Sequence, residues 1–177
     1  MSAAELENPI ANWETITADW KPQPRRLAKK LVKQYGEPDE MTPARMIWHQ
    51  KGVWKRIELI DEEIPHNFPE PHVDSLLQVI SYRLPAGVAN KISDFDGSIV
   101  IERTRGELAV RCEDEAANFL ALNLVHEIIH GRKSIAEARL FYAEAQENGD
   151  YREYREGLLF PRATSDPADP DYPVEQF

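Results

Sequence analysis

Residues 46–60 read MIWHQKGVWKRIELI, and this stretch decides the fold class. Two runs rich in aromatic and β-branched residues, Met46-Ile47-Trp48-His49 and Val53 to Ile60, flank Gln50-Lys51-Gly52. A short glycine-containing gap between such runs is the signature of a β-hairpin. A hairpin makes antiparallel neighbours, because a parallel pair needs a long crossover. The signature returns downstream, where Ser98 to Glu102 and Glu107 to Cys112 flank Thr104-Arg105-Gly106. Between the two, Leu76 to Leu84 reads as a strand with Leu76, Ile80, Tyr82 and Leu84 on one face and Gln78 interrupting. Two hairpins plus one strand predict an antiparallel sheet of four to five strands.

Helical periodicity surrounds these strands. From Pro24, Leu27, Leu31 and Tyr35 recur one turn apart, Val32 widens the stripe, and Gly36 with Glu37-Pro38 ends it. Val88, Ile92 and Phe95 predict a short helix closed by an Asp96-Gly97 turn. The longest apolar periodic segment runs from Asp114 to His130 and stops at Gly131. Ser134 with Glu137 three residues on is a capping box that opens a further helix through Glu147, with Asn148-Gly149 as its stop. Helices gathered at the C-terminal end of such a series cover one face of the sheet, an α+β sandwich of two layers. Residues 61–74 contain Pro65, Pro69 and Pro71 and are expected to be irregular, crossing the surface in an extended form.

The 177 residues suit one core, giving an N-terminal arm over 1–21, a single α+β domain over 22–160 and a flexible, acidic, proline-rich tail over 161–177. Trp13, Ile16 and Trp20 are positioned to pin the arm to the body. The net charge of −10 opposes binding to nucleic acid or an anionic membrane. One basic cluster stands against it, Arg25, Arg26, Lys29, Lys30 and Lys33 on the first helix, read as a solvated face or a contact for an acidic protein segment. A lone cysteine, Cys112, excludes an intrachain disulfide, and with no apolar leader or membrane span a cytoplasmic location is expected. Glu113, Asp114 and Glu115 beside Cys112 raise a thiol pKa, so a buried hydrophobe is expected there in place of a nucleophile.

Two constellations carry candidate chemistry. His126-Glu127-Ile128-Ile129-His130 matches H-E-x-x-H inside the long predicted helix. Residues four apart share a helix face, so His126 and His130 can reach one Zn²⁺ while Glu127 takes a proton from metal-bound water. Over these five residues the segment resembles the zinc-dependent metalloproteases of the zincin group. Arg132 departs from the hydrophobic residue usual there, and the longer H-E-x-x-H-x-x-G-x-x-H pattern is absent. A third ligand is not set by spacing; Glu144, Glu147 or the His66, His72, Asp74 series are the candidates. Against this, His130 in the last turn suits the helix dipole, and His126 borders a core stripe of Leu120, Leu124 and Ile128, so both read as helix-border residues.

The second constellation is the loop His66-Asn67-Phe68-Pro69-Glu70-Pro71-His72 with Asp74, an H-x5-H-x-D arrangement. His66, Phe68, His72 and Asp74 are read as a binding edge or part of a metal site, against a rigid connector whose Phe68 plugs the core margin. No P-loop, dinucleotide glycine pattern or G-x-S-x-G is present. The function expected is a non-enzymatic binding domain without a cofactor, whose partner is another protein or a second copy, not nucleic acid or membrane. The alternative is a zinc-dependent hydrolase using His126, Glu127 and His130.

Overall fold

The computed structural model describes residues 12–149, 151–163, 167–171, 173 and 174. Six strands form one antiparallel sheet: β1 (Glu40–Thr42), β2 (Arg45–Lys51), β3 (Trp54–His66), β4 (His72–Ser81), β5 (Ile99–Glu102) and β6 (Glu107–Cys112). Their spatial order is β1-β2-β3-β4-β6-β5. The first hairpin forms where it is expected, with Met46 opposite Leu59, Trp48 opposite Ile57, and positive φ at Gln50 and Gly52. β1 is the strand beyond the expected four to five. It is three residues long, folds back on β2 and blunts that edge.

Six helices accompany the sheet: α1 (Trp13–Ile16), α2 (Pro22–Tyr35), α3 (Ala89–Phe95), α4 (Glu115–Ile129), α5 (Ile135–Asn148) and α6 (Arg152–Glu156). The caps are those the sequence announces. Asp114 accepts from the Ala117 amide, Ser134 and Glu137 close their capping box, and Gly36 and Gly149 stop α2 and α5 with positive φ. The helix-facing sheet residues Trp48, Ile57, Leu59, Leu76, Ile80, Leu108, Val110 and Cys112 join Leu27, Leu31, Phe95, Leu120, Leu124 and Tyr142 in one buried cluster. On the opposite face Leu77, Val79 and Ala109 form a small separate cluster. There Lys55, Arg56 and Arg105 all reach the Glu107 carboxylate.

Gln78, the polar interruption of the β4 pattern, is fully buried and has a reason to be polar. Its amide donates to Glu115 Oε2 at 2.6 Å, and its carbonyl accepts from Asn118 Nδ2 at 2.8 Å. Glu115 also accepts from Trp54 Nε1 (2.8 Å), Tyr35 Oη (2.6 Å) and Gln34 Nε2 (2.7 Å). One carboxylate in the first turn of α4 thus ties α2, β3 and β4 together, and its charge suits that end of the helix.

Residues 61–74 correct the expectation of irregular structure. β3 continues through Pro65 to His66, β4 begins at His72, and only residues 67–71 turn between them. The register slips between Leu59 and Ile64, a bulge, and beyond it Ile64, Pro65 and His66 face Asp74, Val73 and His72. Pro65 is tolerated because β3 has by then outrun β2, whose last partner is Ile60, so one side of β3 is an edge that needs no amide donor.

Of the segment expected as an arm, residues 12–21 are described: Trp20 is buried, and its indole donates to the Pro43 carbonyl; residues 1–11 lie outside the described residues. Of the expected tail, 164–166, 172 and 175–177 lie outside them. Asp169 pairs with Arg103 at 2.7 Å, and Pro167 and Ala168 lie against Gly106. No helix among the described residues is long and apolar enough to cross a membrane.

Candidate metal centre

Strand geometry gathers the second constellation. Successive side chains alternate between faces, so His72 and Asp74 share the helix-covered face of β4. Across the ladder His66 lies directly opposite His72. The three residues therefore converge, and one donor atom from each can be chosen so that all three lie within 4.8 Å of one another. Among the described residues no other group of three or more His, Cys, Asp or Glu donors comes so close. Asp74 is buried and the two imidazoles are half-buried.

Each imidazole turns one nitrogen away from this centre. His72 Nδ1 lies 2.7 Å from the Glu70 carbonyl, which can only accept, so Nδ1 carries a proton and Nε2 is the nitrogen turned to the centre. That Nε2 stands 3.1 Å from Asp74 Oδ1. His66 Nε2 faces the buried carboxylate of Asp96, 3.6 Å from Oδ1, while its Nδ1 stands 3.0 Å from Asp74 Oδ2. An imidazole whose outer N–H is held by a carbonyl, as that of His72 is, with its other nitrogen directed inward, is the arrangement found around protein-bound metals. Asp96 caps α3, and its Oδ1 also accepts from the Ser98 amide at 2.8 Å, which fixes its carboxylate.

The centre lacks the hydrogen bonds its distances imply. His66 Nδ1, Asp74 Oδ1 and Asp96 Oδ2 are buried and have no aligned hydrogen-bond partner. A neutral imidazole lone pair facing a carboxylate oxygen sets two acceptors against each other, and such a contact is favourable only with a proton or a cation between them. Burial holds the Asp74 carboxyl above the usual carboxylate range; the His66 and His72 imidazoles oppose that rise and Asp96 adds to it. Two imidazole nitrogens and a carboxylate suit zinc or a neighbouring transition metal, and three protein ligands leave coordination positions open.

Phe68 does fill the core margin, packing on Tyr142 at 5.1 Å and Phe95 at 6.0 Å, with the Arg139 guanidinium 3.8 Å over its ring. The Phe68-Pro69 peptide is cis. Behind the centre lies Cys112, fully buried as expected; burial, then Asp96 and Asp74, push its thiol well up. Of the neighbouring acids named by sequence, Asp114 adds to the rise, after Asp96 and Asp74.

The H-E-x-x-H residues stand elsewhere, at the far end of α4. His126 Nδ1 lies 2.9 Å from Tyr82 Oη, and its ring stacks on Phe160 at 4.3 Å and lies against His130 at 4.1 Å. His130 Nδ1 lies 2.8 Å from the His126 carbonyl. Glu127 accepts from Tyr154 Oη at 2.7 Å and faces Lys133 at 3.4 Å. Burial chiefly, then the charges of His130 and Arg132, lower the His126 pKa. Among the described residues neither His126 nor His130 belongs to a group of three donors; Glu144, Glu147 and the His66, His72, Asp74 set do not join them.

Asp96, Ser98 and Arg111 escaped the sequence reading. The Asp96-Gly97 pair announced only a turn, though the register of the second hairpin already sets Ser98 across from Arg111. No family model, no curated protein and no solved structure matches this chain.

Proposed function

We propose that this chain is a metal-dependent binding domain in which His66, His72 and Asp74 hold one divalent transition-metal ion, zinc first among them, at the mouth of a cleft. The observation that carries this reading is the facing of two imidazole nitrogens onto the two oxygens of one buried carboxylate, without aligned hydrogen bonds. Asp96 and the Glu70 carbonyl act as outer partners that orient the rings. The zinc-hydrolase reading of His126, Glu127 and His130 has weaker support, since among the described residues no third donor converges on the two imidazoles.

The two readings part cleanly in one experiment. Purified protein is stripped with chelator, reloaded with zinc, dialysed and assayed by elemental analysis beside His72→Ala, His66→Ala and His126→Ala. About one zinc per chain is expected in the parent and in His126→Ala, and background metal in the other two. Zinc lost in His126→Ala and kept in His72→Ala reverses the assignment. Background metal in every sample leaves a metal-free cluster of charged side chains and ends the proposal.

A further inference from the structure

The metal centre opens into a cleft of about 410 Å³ lined by Ile64, Pro65, His66, Asp74, Gly97, Ser98, Val100 and Arg111. It exists because the sheet splits there. The last β4–β6 pair is Leu76 with Cys112, and beyond it β4 runs on beside β3 while the chain after β6 turns into α4. Of the eight buried side-chain polar atoms without a hydrogen-bond partner among the described residues, five lie in this cleft or beside it: His66 Nδ1, Asp74 Oδ1, Asp96 Oδ2, Ser98 Oγ and Arg111 Nη1. Buried polar groups in folded proteins are nearly always paired, so their gathering in one place asks for a missing partner.

The five divide by chemistry. His66, Asp74 and Asp96 form the metal side, where an ionised carboxylate can only accept. Ser98 and Arg111 form the other, and guanidinium can only donate. Arg111 N donates to the Ser98 carbonyl at 3.2 Å, one step beyond the Ile99–Val110 pair, so the two residues are cross-strand neighbours on one face. The other half-buried arginines of the hairpins are neutralised, Arg56 by Glu58 and Glu107 and Arg103 by Asp169 and Asp171. Arg111 has no ion pair among the described residues. A half-buried guanidinium without an ion pair, beside a hydroxyl without a hydrogen-bond partner and lining the same cleft as His66 and Asp74, is a receptor for an oxyanion.

We infer that the cleft binds the carboxylate or phosphate group of a small molecule between the metal held by His66, His72 and Asp74 and the donors of Arg111 and Ser98. This inference rests on the metal reading and extends it to the ligand. Asp74 and Asp96 repel an anion unless a cation stands before them, so oxyanion and metal bind with positive coupling, each tightening the other. Arg111 discriminates the ligand and does not hold the metal.

The test uses the full chain loaded with Co²⁺, whose visible bands respond when an anion enters the coordination sphere. Inorganic phosphate and acetate are titrated separately, by absorbance and by calorimetry, into the parent, Arg111→Gln and Ser98→Ala. Saturable binding is expected in the loaded parent and none in the metal-free protein. Arg111→Gln weakens it at least about tenfold, as loss of a charge-assisted hydrogen bond implies, while cobalt affinity stays within about threefold. Ser98→Ala weakens it by a few-fold. A stronger response to phosphate assigns a phosphoryl ligand, and a stronger response to acetate a carboxylate. Cobalt bound with no anion effect, or anion binding equal in parent and Arg111→Gln, overturns this inference and leaves the metal reading standing. A parent that takes up no cobalt removes both.

Discussion

Asp74→Asn separates a metal ligand from an ordinary ion-pair partner, because the two roles predict opposite effects on the metal-free fold. Asp74 is buried, its Oδ1 has no aligned hydrogen bond, and burial raises its pKa. A carboxyl whose folded pKa exceeds its unfolded value binds protons more readily in the folded chain. Its contribution to stability therefore falls as pH rises from the unfolded value through the folded one, and at neutral pH the charged group is a net cost. An unsatisfied buried polar atom costs about 1–3 kcal/mol. Replacing the carboxylate with the neutral amide of the same shape should recover about 1–2 kcal/mol at pH 8 in chelator. For a chain of this length that is roughly 2–8 °C in Tm. Zinc tells the other half: at a free concentration near 100 times Kd the parent gains about 2.7 kcal/mol, or roughly 5–11 °C, and Asp74→Asn gains nothing. Thermal unfolding followed by circular dichroism, with and without zinc, reads both. A metal-free Asp74→Asn that melts below the parent, with the zinc shift intact, refutes the reasoning and makes Asp74 a structural partner of the two histidines.

Two further outcomes follow from contacts outside the centre. Glu115→Ala strips the shared acceptor from Tyr35, Trp54, Gln78 and Gln34 and leaves buried donors unpaired, so a loss of about 3–5 kcal/mol is expected; a fall in the urea midpoint below about 1 kcal/mol in equivalent would show that water replaces the carboxylate. Gly106 has φ +59°, and a Cβ there would stand 2.7 Å from the Ala168 backbone nitrogen. Gly106→Ala should cost about 1–2 kcal/mol and push residues 167–171 off Arg103, measured as faster amide exchange over that segment; unchanged exchange would mean that the hairpin yields instead.

Local pattern accounts for the elements legible in the chain before it folds. The hairpin at residues 46–60, the second hairpin, the stripe of α2 and the capping box of α5 are set by alternation, periodicity and cap chemistry within a few residues, and each forms where those signals put it. The burial of Cys112 followed from the same kind of reading, although burial itself and the distant Asp96 and Asp74 raise its thiol more than the neighbouring Asp114 does. Proline composition misled at residues 61–66, since whether Pro65 can sit in a strand depends on whether β2 still needs its amide, and only the sheet decides that.

The candidate site belongs to tertiary structure for a related reason. H-x5-H-x-D was visible as a pattern, but its meaning turned on register: once His66 is paired with His72, alternation alone puts Asp74 on the same face. Asp96 arrives from the end of α3, and Ser98 and Arg111 from the second hairpin, through pairings that no local window contains. The HEIIH pentad shows the converse. Helical spacing brings His126 and His130 to one side of α4, but a metal site also needs a third donor, and among the described residues the packing of Tyr82, Phe160 and Tyr154 brings stacking and hydrogen-bond partners in its place. Convergence of distant side chains is settled by strand order and helix packing, and those are global properties of the buried core.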